Sequence, residues 1–79
     1  MDYQQYLVRD SQICGGELIV KGTRVTVRTI LASLAEGATI DEIEKDFPTV
    51  SEQAVRAIIA FAAASAEEDL PLPSVPSIA

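Results

Sequence analysis

The sequence predicts a mainly α domain: three helices behind short N-terminal β-strands, followed by an extended C-terminal tail. Three observations predict it. Apolar residues recur at helical spacing in three separate stretches between residues 27 and 64. The β-prone runs "YLV" and "LIVK" precede them, punctuated by the glycines of "CGG" and "KGT". Pro71, Pro73 and Pro76 then forbid helix near the end.

The N-terminal zone, residues 3–27, supports two or three short extended segments at most. Strict alternation in "RVTV" places Val25 and Val27 on one face of a strand. The first helix carries Val27, Ile30, Leu31 and Leu34 at i, i+3, i+4, i+7. Thr26 caps its start, and Gly37 stands where a left-handed C-terminal cap belongs. In the second helix Thr39 and Glu42 form a capping box, Ile40, Ile43 and Phe47 the inner stripe, and Pro48 prevents continuation. The third helix runs from about Glu52 to Glu67, capped by Ser51.

That third helix has two apolar stripes: Val55, Ile58, Ile59 and Ala62, and beside it Ala54, Ala57, Phe61 and Ala64. One stripe suffices for an intramolecular core. The second implies either a dimer seam or partner surface, or a central helix wrapped on all sides. Residues 1–66 thus read as the folded domain and residues 67–79 as an acidic, proline-rich tail. The tail reads either as a disordered terminus or as an arm with the apolar anchors Leu70, Leu72, Val75 and Ile78 that orders on a partner.

Composition narrows the chemistry. Cys14 is the only cysteine among 79 residues and histidine is absent, which excludes an internal disulfide and the usual zinc sites. A core of this size supplies roughly 3–5 kcal/mol, so self-association or a partner is the expected staple. The N-terminus does not resemble a signal peptide, and the longest apolar run, "AIIAFAAA", is far short of the roughly 20 residues that span a bilayer. A cytoplasmic protein with no membrane partner and no cofactor is expected. Enzyme activity is not: no histidine base, phosphate loop or metal-ligand cluster is legible. Asp41, Glu42, Glu44 and Asp46 read as a solvated face before they read as a metal site.

A formal charge of −6 argues against broad, non-specific binding to nucleic acid. Half of the six basic residues nevertheless collect in one short stretch, as Lys21, Arg24 and Arg28. Three helices with a short middle member and the turns "EGAT" and "FPTV" match a tri-helical helix-turn-helix. In that arrangement the third helix is the recognition helix. Gln53 and Arg56 at its exposed start suit adenine and guanine or phosphate respectively.

"ICGGELIVKGTRVTVRTILASLAEGATIDEIEKDFPTVSEQAVRAIIAFAA" resembles the small bacterial proteins of the domain of unknown function four-three-three family. The motifs that carry the resemblance are "GTRVTV", "LAEGATIDEI" and "FPTVSEQAV", within residues 13 to 63. The resemblance implies a homeodomain-like DNA-binding fold and a VapB-like antitoxin role, opposite a PIN-like ribonuclease toxin. It carries over the class of role and no DNA-contacting residue; the tail lies outside it.

Combined with that resemblance, the residues give a two-part expectation. A homodimer binds its own promoter DNA through Lys21, Arg24, Arg28, Gln53 and Arg56. Ile59, Phe61, Ala63, Glu67, Glu68, Leu70 and Leu72 form the toxin or dimer interface. For Arg24 a second role stays open, pinning its turn to Glu42 or Asp46. The rival is a non-enzymatic dimeric interaction module, or an orphan DNA-binding regulator without a toxin.

Overall fold

Thr26 decides where extended chain gives way to helix. Its hydroxyl accepts the backbone N–H of Thr29 at 3.1 Å, with its own backbone in the extended region. The capped residue after it, Val27, is therefore the first of α1 (Val27–Ala35) rather than the end of a strand. Of the alternation in "RVTV" only a single antiparallel bridge survives, between Ile19 and Thr26. The computed structural model describes residues 2–69, Asp69 by its backbone alone.

Two strands precede α1. β1 (Leu7–Arg9) and β2 (Leu18–Val20) pair antiparallel, with Leu7 opposite Val20 and Arg9 opposite Leu18. Two 3₁₀ turns were not legible in the sequence: Tyr3–Gln5, capped by the Asp2 carboxylate, and Cys14–Gly16. The second needs positive φ at Cys14, Gly15 and Gly16, and a sequence pattern offers no period for it. α1 ends in a Schellman motif: Ala38 N–H reaches Ser33 C=O and Gly37 N–H reaches Leu34 C=O, both at 3.0 Å. Gly37 holds the φ of +99° that this cap requires.

α2 (Ile40–Asp46) is held at its start by the capping box. Thr39 N–H donates to the Glu42 carboxylate at 2.9 Å and Glu42 N–H to the Thr39 hydroxyl at 3.2 Å. α3 (Glu52–Asp69) is capped by Ser51, whose Oγ accepts Ala54 N–H at 3.1 Å, and it runs two residues past the expected Glu67. The architecture is thus three helices with a short two-stranded N-terminal sheet, as the sequence predicts.

The core lies where α1, α2 and the hairpin meet the first half of α3. Leu7, Val20, Val27, Ile30, Ile43, Val50, Ala54, Val55 and Ile58 pack together there. Ile30, Val55, Ala57 and Ile58 are fully buried. The first half of α3 is thereby enclosed on most sides, while Ile59 remains 43 % exposed. The first half of α3 is thus a wrapped central segment, with Ala54 and Ala57 of the second stripe inside the core and Ile59, from the first stripe, left at the surface.

The capping box has a pH consequence. The backbone N–H of Thr39 first, and its side chain second, hold the Glu42 carboxyl below the ordinary value. A depressed native pKa contributes stability above the unfolded pKa, and that contribution is lost as pH falls through the native one. Glu42→Gln keeps the acceptor and removes the charge. Its melting temperature should fall below wild type at neutral pH and converge on it below about pH 4, as the carboxylate range is left behind. Thermal melts across that range check this.

Candidate nucleic-acid and partner interface

The turn "VKGT" is built by its own backbone. Thr23 N–H donates to Val20 C=O at 3.0 Å, and Gly22 supplies a φ of +80° at the third turn position. The Thr23 hydroxyl donates to Val20 C=O at 2.8 Å and accepts from Val25 N–H at 3.0 Å. Lys21 N–H donates to Tyr6 C=O at 2.7 Å, tying the turn to the residue before β1. Lys21 and Arg24 therefore project from a rigid support, and both are exposed. The Lys21 ammonium reaches the Gln4 carbonyl at 3.5 Å.

Arg28 lies one residue into α1 and is paired. Its Nη2 donates to Glu17 Oε2 at 2.9 Å, with the arginine side chain 78 % exposed. Arg24 stands differently. The ion pairs among the described residues are Arg28–Glu17 and Arg56–Glu52, so Arg24 does not pin the turn to Glu42 or Asp46. The Glu42 carboxylate is already engaged by the α2 cap.

Arg9 is a residue the sequence reading missed. Its Nη1 donates to Gly16 C=O at 3.2 Å, and the Cys14 thiol donates to Arg24 C=O at 3.3 Å. The Cys14–Glu17 segment is thus gripped by side chains or backbone of Arg9, Arg24 and Arg28. No local signal marks Arg9; the strand register puts it opposite Leu18, next to Glu17. Arg9, Glu17 and Arg28 then rim a shallow groove of about 260 Å³ floored by Leu18, Val27, Leu31 and Phe61. A second hollow of about 240 Å³, lined by Tyr3, Gln4, Leu7, Leu18 and Phe61, shares two of those residues and continues it.

On α3 the outward face carries Glu52, Gln53, Arg56, Ile59 and Ala63, all exposed. Arg56 Nε donates to Glu52 Oε2 at 3.0 Å. Phe61 is turned away from that face. It packs edge-on against Tyr3, with ring centroids 5.9 Å apart at 85°, and the Tyr3 hydroxyl donates to Ala60 C=O. The residues expected to share one interface therefore divide: Ile59 and Ala63 on one side of α3, Phe61 on the other. Glu67 and Glu68 are exposed on the last turns of α3, and Leu70 and Leu72 lie outside the described residues. No hydrogen bond or ion pair among the described residues joins the Lys21–Arg28 group to Gln53 or Arg56.

Charge is unevenly spread. α2 exposes Asp41, Glu42 and Asp46, with Glu44 half-buried and Lys45 as the one cation. Among the described residues no group of three or more cysteine, histidine or carboxylate side chains is placed to hold a metal ion. No helix there is long and apolar enough to cross a membrane.

Residues 7–62 match the family described as "Protein of unknown function (DUF433)". With well over half of the sequence matched, the chain belongs to this family. No curated protein and no solved structure matches it. The matched span begins at β1 and stops just after Phe61, so it covers the hairpin, α1, α2 and the enclosed part of α3.

The geometry makes Arg28 separable from folding. An ion pair this exposed is worth about 0–1 kcal/mol. Arg24→Ala and Arg28→Ala should each leave the urea midpoint within the shift that about 1 kcal/mol produces. A larger loss for Arg24 would show that its side chain supports the turn.

Proposed function

We propose that the protein is the antitoxin of a type II toxin–antitoxin pair, a non-enzymatic DNA-binding protein that neutralises a PIN-like ribonuclease. The supporting observation is the presentation of Gln53 and Arg56. They stand outward on the one stretch of helix that the core encloses most completely, as base-reading side chains need. The tri-helical order with a short capped middle helix supports the DNA-binding half of this reading.

In this reading α3 enters the major groove through Gln53 and Arg56, and Lys21, Arg24 and Arg28 contact phosphates beside it. The carboxylates of α2 repel the backbone elsewhere and confine binding to a narrow approach. A chain of charge −6 then binds DNA locally, as a homodimer in the cytoplasm, rather than by bulk attraction. Toxin capture falls to the end of α3 and the segment after it, with Glu67 and Glu68 set against the basic surface that holds substrate RNA.

A second reading rests on Ile59, whose 43 % exposure beside Ala63 gives α3 an apolar outer strip. Such a strip suits a dimeric interaction module that never meets DNA.

Two measurements separate these readings. Arg24→Ala and Arg28→Ala should each lower the slope of log affinity against log salt for operator DNA by about one unit. Truncation after Ala66 should abolish toxin neutralisation while leaving DNA affinity intact. No DNA binding at physiological salt, with a stable dimer, would support the interaction module.

A further inference from the structure

The groove between the hairpin, α1 and α3 shares only Arg28, on its rim, with the proposed reading of DNA. Its floor is apolar, its wall includes the Tyr3–Phe61 aromatic pair, and two guanidinium groups stand on its rim beside a single carboxylate. Each hollow, at about 260 and 240 Å³, falls below the roughly 300–1,000 Å³ of a small-molecule pocket. Together they form a shallow track suited to side chains of an extended segment.

We propose that in the chain free of any toxin the occupant is this chain's own segment Leu70–Pro76, "LPLPSVP", folded back from the end of α3. Leu72 and Val75 rest on Leu18, Leu31 and Phe61, and Arg9 and Arg28 donate to the segment's backbone carbonyls.

Three features of the two surfaces match. The segment is uncharged, so the Glu17 carboxylate on the rim does not repel it as it would an acidic peptide. Its prolines contribute carbonyl acceptors and no N–H, which suits a rim rich in donors. Arg9 already donates to a backbone carbonyl there, that of Gly16. Proline-rich segments also lose little conformational freedom on docking against aromatic walls.

The reach is sufficient. Phe61 precedes Asp69 by eight helical residues, about 12 Å of axial rise. Ten residues follow Asp69, and at about 3.1 Å each in extended polyproline form they span about 30 Å. The chain can reverse and still cross the groove.

The test is methyl and aromatic NMR on the full chain, comparing wild type with a Leu70→Ser, Leu72→Ser double variant. Neither residue belongs to the core that the described residues form, so the domain stays folded. The expected result is cross-relaxation between Leu72 methyls and the Phe61 ring in wild type. In the variant that signal is lost and the Leu18, Leu31 and Phe61 resonances shift, equally at low and high protein concentration. Identical groove resonances in both proteins would overturn the proposal. So would contacts that appear only on raising the concentration, since the occupant would then be a second copy.

Discussion

Burial of one helical turn, around Val55 and Ile58, governs most of what this small domain can do. Both side chains are fully buried, and α1, α2 and the hairpin all pack around that part of α3. Cutting Ile58 to alanine would cost about 2–5 kcal/mol, comparable with the whole net stability of a domain this size. The residues between and beyond those buried positions are consequently fixed in direction. Gln53, Arg56 and Ile59 face out because Ala54, Val55 and Ile58 face in. Phe61 faces the groove because Tyr3 holds it there.

The charge distribution follows from local chemistry rather than from a plan for the surface. α2 is acidic partly because Asp41 and Glu42 stabilise its N-terminus, Glu42 through a capping box. The guanidinium groups of Arg9 and Arg28 meet around the Cys14–Glu17 segment because strand register and the start of α1 bring them there. One side of the molecule is therefore anionic, and another carries guanidinium groups over an apolar floor. A binding partner of either kind meets a directional surface.

Much of the fold was legible in the sequence because its signals are local. Thr26, Gly37, Thr39 with Glu42, and Ser51 each mark a helix end through a hydrogen bond within a few residues. The turn at Gly22 and Thr23 was legible for the same reason. Part of what escaped depends on pairing at a distance, and part on two local patterns that compete. Val27 satisfied both a strand alternation and a helical stripe, and the Thr26 cap resolved it. The Cys14–Gly16 turn and the place of Arg9 come from register between strands. Ile59, Phe61 and Ala63 read as one interface, yet two residues along a helix turn a side chain by roughly 200°. The pairing of Arg28 with Glu17 spans eleven residues and has no sequence period.

The claim that unites these features is that the domain works by binding, with a ribonuclease as its protein partner. Co-expression with the neighbouring open reading frames, followed by purification on this chain, tests that claim most directly. The account predicts a stable complex with a small PIN-like protein whose RNA cleavage falls when the two are bound. Recovery of this chain alone, with no neighbouring product retained and no nuclease inhibited, would contradict it.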